Sequence, residues 1–159
     1  MWVKPASDWS YCPEAYAPLI YYGSPGDSRS FRLNLLSHSG SGPRPSLDIS
    51  DPFSTRSTMT WNRILPTDQW SHIALVIPAD NSRISASEMY VNGVKQTTIN
   101  SNSLTTRTSQ YFDPGTDFDV RIGADQFACF FKGEMDDIRF HSRPLGPQEL
   151  GFYNPAQPG

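Results

Sequence analysis

Residues 133–145 read GEMDDIRFHSRPL, a run with the character of an extended chain between two turns. Successive side chains of such a chain fall on opposite faces, so the odd positions from Met135 share one face and the even positions share the other. Gly133 opens the run, and Pro144 closes it, as turn residues do. Residues 147–150, PQEL, then favour one helical turn. The stretch predicts a late sheet strand, a tight turn and a short helix.

Composition favours an all-β chain rich in loops. Aromatic residues make up 13% of the 159 residues, and the chain has 14 prolines. Ser and Thr are plentiful, and long helical patterns are scarce. The net charge of −3 comes without a basic stripe, which disfavours a nucleic-acid partner. No apolar run approaches the roughly 18 residues of a membrane helix, and the start lacks the apolar core of a signal peptide.

Alternation and turn residues predict further strands along the chain. Asn92-Gly93 is the pair that favours a two-residue hairpin turn, so the flanking runs should pair with each other. We expect Pro5 to end the first strand, because proline lacks the backbone N–H. Polar segments 6–18, 37–45 and 97–118 are predicted as loops. The predicted strands are Leu19–Tyr22, Phe31–Leu36, Leu47–Ile49, Thr58–Trp61, Trp70–Ile77, Glu88–Val91, Val94–Gln96 and Val120–Gly123.

Five motifs in order resemble the laminin-G-like, concanavalin-A-like and pentraxin-like family. They are W-x-K-P from Trp2, W-x-H-x-A from Trp70, Y-x-N-G from Tyr90, I-G at Ile122, and G-x-x-D-D-I-R from Gly133. The resemblance covers Trp2 to about Leu150. It implies an all-β, two-sheet antiparallel jelly-roll sandwich, with residues 1–153 as one domain and 154–159 as a Pro-rich flexible tail.

The start of the chain departs from the family pattern. In the family, two or three strands normally precede the W-x-K-P segment, so the resemblance implies a domain that lacks its N-terminal strands. Missing strands would leave an open sheet edge, and an open edge invites pairing with another chain. We therefore expect a homodimer through that edge.

The two cysteines, Cys12 and Cys129, are compatible with one disulfide, a metal pair or two free thiols. In the family topology the first strand lies antiparallel to the closing strand. Cys12 comes just after the first and Cys129 just before the second. The resemblance therefore implies that both lie at the same end of this pair, where a disulfide can form.

A glycoside hydrolase is the enzyme class to weigh, because one family on this fold carries its acids as E-x-D-x-x-E on a strand. Glu134 and Asp136 fit the first two positions, but the third is Arg139, which cannot supply a proton at neutral pH. None of the three histidines lies near a nucleophile elbow, and we interpret His72 as a framework residue. We expect no catalytic residues and no enzymatic activity.

Calcium is the cofactor that the resemblance suggests. Pentraxin-like relatives place calcium ligands in the loop before the strand that corresponds to Phe31–Leu36 and just after the I-G pair. Asp27, Asp125 and Gln126 match those places, whereas Phe127 stands where the relatives carry a third acidic residue. The alternative is that Asp27 forms a turn and Asp125 lies on a loop surface.

A sugar site needs aromatic faces that stack on the ring and planar polar groups that bond hydroxyls. The candidate residues are Trp61, Arg63, Asn34, Tyr111 and Arg29, with Asp48 among further polar candidates. The alternative for Trp61 is core packing between the sheets.

The sequence leads to three functional hypotheses. The first is a non-catalytic module that binds carbohydrate within a larger extracellular or cell-surface protein. The second is a structural or adhesion domain that contacts an extracellular protein, and the third is a hydrolase-like domain.

Overall fold

The computed structural model describes residues 1–10, 12, 16–23, 30–37, 42–50, 56–77, 86–102, 119–126 and 128–150. The predicted tail, residues 154–159, lies outside these ranges. Within them the chain forms eleven strands and no α-helix. The strands are β1 Trp2–Ser10, β2 Tyr16–Gly23, β3 Ser30–Ser37, β4 Pro43–Ser50, β5 Arg56–Trp61, β6 Ser71–Val76, β7 Glu88–Val91, β8 Val94–Lys95, β9 Thr98–Asn102, β10 Asp119–Ile122 and β11 Phe131–Asp136.

The strands form two antiparallel sheets whose inner faces enclose the core. One sheet has the order β11-β1-β6-β7-β8, and the other has the order β10-β2-β3-β4-β5-β9. The predicted all-β, two-sheet sandwich is therefore confirmed. The closing strand β11 pairs with the first strand β1 in antiparallel fashion, as the resemblance implied.

One apolar row shows how the alternation builds the core. Ile20, Leu33, Leu47 and Met59 lie opposite one another across four adjacent strands. All four are at most 6% exposed and contact core residues of the five-stranded sheet such as Ile73. Burying each such side chain contributes roughly 1.5–3 kcal/mol. The period-2 pattern fixes which face of each strand does this, because a one-residue slip would turn the row to the outside.

The Asn92-Gly93 hairpin is confirmed. Asn92 has φ 46° and Gly93 has φ 82°, the two positive values that a type I′ turn requires. The turn joins β7 to β8, and Tyr90 pairs with Lys95 across it. Local turn chemistry was sufficient to predict this element.

The prediction that Pro5 ends the first strand was wrong. Strand β1 continues to Ser10, with Pro5 opposite Gly133 of β11. The carbonyl of Pro5 accepts a hydrogen bond from Asp68 N at 2.7 Å, away from β11. The N–H that proline lacks would point to the same side, where β6 pairs only with Trp2 and Val3. No ladder hydrogen bond is lost there, so the strand continues.

Three predicted loops contain strand. Residues 6–10 and 16–18 belong to β1 and β2, and β4 begins at Pro43, inside the predicted loop 37–45. Segment 97–118 contains β9, which pairs with β5. These segments are polar or rich in proline, so they lack the apolar alternation of a half-buried strand. Backbone pairing with a neighbouring strand extends them nevertheless.

The closing strand is shorter than predicted. Strand β11 ends at Asp136, and Asp137 adopts φ 48°, which interrupts the alternation. As a result Met135 and Ile138 both pack against the core, although strict alternation would put them on opposite faces. The predicted helix at 147–150 is a single turn, in which Glu149 N donates to Gly146 O at 2.9 Å.

Candidate functional site

The outer face of the six-stranded sheet carries a row of polar side chains. Arg121, Tyr21, Arg32, Asp48 and Thr58 lie opposite one another across β10, β2, β3, β4 and β5. Their in-strand neighbours form the apolar row on the inner face, so one alternating pattern builds both surfaces.

A second row lies beside the first. Asn34, Ser46 and Thr60 are opposite one another on β3, β4 and β5. We call the two rows together the polar face. Ser46 Oγ donates to the carbonyl of Met59 at 3.0 Å and lies 3.3 Å from Thr60 Oγ1. These two hydroxyls mostly satisfy each other and the backbone.

Asp48 is the central charged group of the polar face. Asn34 Nδ2 donates to Asp48 Oδ2 at 2.8 Å, and Thr58 Oγ1 donates to Asp48 Oδ1 at 2.5 Å. Asp48 is 3% exposed, and these two hydrogen bonds help to hold the orientation of its carboxylate. A fixed carboxylate of this kind accepts hydrogen bonds in a defined direction.

Two buried polar atoms of the polar face have no hydrogen-bond partner: Tyr21 Oη and Asn34 Oδ1. Both residues are 1% exposed. A buried polar atom left unpaired costs about 1–3 kcal/mol, so such atoms are rare in folded proteins. Both atoms lie on strands of the polar face, where a ligand hydroxyl or amide could pair with them.

The chemistry of Tyr21 suits hydrogen bonding to a neutral ligand. Burial raises the pKa of Tyr21, and the nearby Arg32 and Arg121 lower it only in part. The hydroxyl therefore stays protonated at neutral pH and can both donate and accept. The guanidinium carbon of Arg32 lies 5.5 Å from the centre of the Tyr21 ring, which holds both planar groups on the same face.

The structure separates the sequence-predicted sugar residues. Asn34 lies in the polar face. Trp61 is 1% exposed and belongs to the core cluster, on the opposite side of the sheet. A ring enclosed between the sheets cannot stack on a sugar, so we assign Trp61 to packing. Arg63 lies in the exposed segment after β5, whereas Arg29 and Tyr111 lie outside the described residues.

The described calcium candidates do not fit a calcium site. Asp125 is 3% exposed; its Oδ2 accepts from Tyr16 Oη at 2.7 Å and its Oδ1 accepts from Cys129 N at 3.2 Å. These bonds tie β2 to the segment before β11, so Asp125 is a buried link and not a loop surface residue. Gln126 is partly buried beside it, and Asp27 lies outside the described ranges.

Calcium needs six to eight oxygen ligands. The described part of the chain contains no cluster of three or more Asp, Glu, His or Cys residues that could hold a metal.

The structure contains a disulfide between Cys12 and Cys129, with Cα atoms 5.0 Å apart. Cys12 lies two residues after the end of β1, and Cys129 lies two residues before the start of β11. This end of the β1–β11 pair is the place that the resemblance implied.

The two hydrolase candidates, Glu134 and Asp136, have different partners. Glu134 is exposed and lies 2.7 Å from Lys4 Nζ, and Asp136 accepts from Asp137 N at 2.7 Å. The strand ends at Asp136, so Arg139 leaves the strand and pairs instead with Asp137 at 2.6 Å. Only the first two of the three motif positions therefore lie on the strand.

Sequence reasoning missed Tyr21, Arg32 and Thr58. All three lie on predicted strands, and Arg32 is a single polar position between the apolar Phe31 and Leu33. Relating them to one another requires the strand register, which aligns residues 21, 32, 48 and 58.

Comparison with known proteins identifies the family. No curated protein matches the chain. Within the described ranges no helix is long and apolar enough to cross a membrane. A laminin-G family model, described as the concanavalin A-like lectin/glucanases superfamily, matches residues 1–151. Together with the two-sheet antiparallel sandwich, this match shows that the chain belongs to the concanavalin A-like lectin/glucanases superfamily as a laminin-G-like domain.

Proposed function

We propose that this domain is a non-catalytic recognition module that binds carbohydrate through the polar face. The observation that carries the proposal is the pair of unpartnered buried atoms, Tyr21 Oη and Asn34 Oδ1, on the face that also holds the carboxylate of Asp48. A sugar presents neighbouring hydroxyls, each of which donates one hydrogen bond and accepts others. Two such hydroxyls would satisfy both atoms and remove the penalty of leaving them unpaired.

Access is a requirement of the proposal. Tyr21, Asn34 and Asp48 are 1%, 1% and 3% exposed, so a sugar reaches them only if this face opens. A ligand that binds the open state more tightly shifts the population toward it. Binding should therefore be slower than diffusion, with an association rate below about 10⁵ M⁻¹s⁻¹.

The non-catalytic part of the proposal is supported by the acidic residues. Retaining and inverting glycosidases both need two carboxyl groups that flank the scissile bond. Among the residues named for the two rows of the polar face, Asp48 is the single carboxylate. Arg32 and Thr58 lie opposite it on the two neighbouring strands. Glu134 lies on the other sheet and is engaged with Lys4.

An extracellular or cell-surface location is part of the same proposal. The Cys12–Cys129 disulfide supports it, because disulfides persist in oxidising compartments and are rare in the cytosol. We further propose that the domain serves as one module of a larger protein.

A glycan array tests the proposal, with the purified domain applied in calcium and in chelator. We expect specific binding in both buffers, since the described residues supply no calcium site. Tyr21→Phe should weaken binding by about tenfold, the value of one hydrogen bond to the ligand. The same change should leave stability unchanged or raise it, because it removes an unpaired hydroxyl.

Asp136→Asn is the matched control, because it changes an exposed residue on the other sheet and should bind as the wild type does. Asp48→Asn keeps the shape of the carboxylate site and should also reduce binding. The proposal would be contradicted if Tyr21→Phe and Asp48→Asn bound the array as strongly as the wild type does, or if the wild type did not bind at all.

The alternative function is a structural or adhesion domain that makes protein contacts. The observation that favours it is the exposure of large apolar side chains on β10, with Val120 57% and Ile122 51% exposed. A silent glycan array combined with self-association would support this alternative.

A further inference from the structure

Strand β10 leaves part of the inner face of its sheet uncovered. Ile122 lies opposite Ile20 and Val120 lies opposite Tyr22, so both point to the inner side. Ile20 is 4% exposed and belongs to the core, whereas its neighbour Ile122 is 51% exposed and Val120 is 57% exposed. The five-stranded sheet therefore does not cover this edge. The aliphatic side chains of Val120 and Ile122, two residues apart on β10, face solvent.

The backbone of β10 is open on the same side. In the part of the chain that the structure describes, β10 ends its sheet and pairs only with β2. Gly123 N donates to Leu19 O at 3.0 Å, so the N–H and C=O groups of every second residue, Arg121 and Asp119, also point to β2. The groups of Val120 and Ile122 consequently point outward, which makes this edge a template for another strand.

The exposed strand is complementary to itself. In an antiparallel pair of two β10 strands related by a two-fold axis at Val120, Val120 of each copy lies opposite Val120 of the other. Asp119 of one copy then lies opposite Arg121 of the other, and the reverse pair follows from symmetry. The side chains of Asp119 and Arg121 are 52% and 37% exposed, and within one chain they lie 3.2 Å apart. Opposite charges that face each other across strands stabilise a pair, and like charges destabilise it.

We propose that β10 pairs with β10 of a second copy of this chain, so that the two six-stranded sheets join into one continuous sheet. The interface is isologous, as two-fold dimers require, since each copy supplies the same strand. Val120 and Ile122 of both copies lie along the seam on the inner face, and the two Asp119–Arg121 pairs fix the register on the outer face. A different occupant of this edge, such as another protein, would leave the purified chain monomeric in the test below.

Charge reversal tests the register directly. Asp119→Arg places an arginine opposite Arg121 of the second copy, and Arg121→Glu places a glutamate opposite Asp119 of the second copy. Each variant alone should raise the dimer dissociation constant by about tenfold or more, because both symmetric pairs become like-charged. Mixed together, the two single variants should form a heterodimer, because in this register each of its two pairs again joins an arginine to an acidic residue.

The double variant Asp119→Arg/Arg121→Glu therefore provides the rescue. It exchanges the two charges within each chain, so both symmetric pairs again join an arginine to an acidic residue. The double variant should dimerise like the wild type, although each single variant does not. Sedimentation velocity of the four proteins measures this.

Two controls separate the edge from general effects. Val120→Asp should abolish association, whereas Val94→Asp should not, although Val94 is also an exposed valine on an outermost strand, at 64% exposure. Circular dichroism melts of all variants show that each folds. Asp119→Arg is the cleaner single variant, because Arg121 also donates to the carbonyl of Asp125 at 3.1 Å.

The expected result is a wild-type dimer, two weakened single variants and a restored double variant. A wild-type protein that stays monomeric at high concentration would overturn the proposal. A dimer that persists unchanged in both charge-reversal variants would overturn it as well, because association would then use another surface.

Discussion

Removing the Cys12–Cys129 disulfide is expected to lower the free energy of unfolding by about 5 kcal/mol. The two cysteines are 117 residues apart in sequence. In the chain-entropy description, closing a loop of that length removes about 16 cal/mol/K from the unfolded state, or roughly 5 kcal/mol at 25 °C. For a chain of this size, such a loss lowers the melting temperature by about 10–20 °C.

The folded state should change little when the bond is removed. Asp125 N donates to Cys129 O at 3.2 Å, and Cys129 N donates to Asp125 Oδ1 at 3.2 Å. Phe131 N also donates to Gly123 O at 2.9 Å. These bonds hold the segment before β11 without the sulfur atoms. The loss of stability should therefore arise mainly from the less restricted unfolded chain.

Urea denaturation measures the effect in three samples: the oxidised wild type, the wild type with reductant, and the Cys12→Ala/Cys129→Ala double variant. The reduced wild type and the double variant should unfold at the same lower midpoint, and reductant should not affect the double variant. Free-thiol counting verifies the redox state of each sample. A double variant within about 1 kcal/mol of the oxidised wild type would refute the argument, because the bond would then restrict little of the unfolded chain.

Three further predictions concern the core, the pH dependence and the hairpin. Trp61→Ala should lower stability by about 3–5 kcal/mol as a core truncation, measured by urea unfolding, and a near-normal stability would return Trp61 to the list of ligand residues. Burial, followed by the neighbouring terminal amine, lowers the pKa of His72 from 6.5 to about 4. The unfolded chain therefore takes up this proton first, and stability should fall by up to roughly 3 kcal/mol as the pH drops from 6.5 to 4. His72→Phe, whose aromatic ring can retain the contact with Trp2, should flatten that pH profile, and an equally steep profile in the variant would assign the effect to other groups. Gly93→Ala should cost roughly 1–2 kcal/mol, because Gly93 has φ 82°. Its control, Gly146→Ala, meets only an ordinary 3.6 Å contact and should unfold like the wild type.

Alternation and turn chemistry predicted the strands, and the resemblance of the five motifs implied the two-sheet sandwich. The strand β3 and the Asn92-Gly93 turn could be predicted from neighbouring residues alone, because side-chain period and positive φ are local properties. Pro5 misled the prediction for a non-local reason: whether a missing N–H matters depends on which strand lies on that side. Asp137 misled it through a positive φ that no local residue pattern required.

The polar face was only partly predictable. Asn34 and Asp48 could be named as polar candidates, but the sequence could not say that Tyr21 and Thr58 lie in register with them. Trp61 shows the converse, because a tryptophan suits both a sugar and a core. Its face on β5 is decided by the register with β4, where Met59 lies opposite Leu47.

The sequence by itself determined the strands with clear alternation, the hairpin and the family motifs. These depend on interactions among neighbouring residues and on side-chain period. Only the tertiary structure decided which polar residues meet, which edge remains open, and that Asp125 is a buried link. Those features depend on strand register and sheet order, which bring together residues far apart in the chain, such as Tyr16 and Asp125.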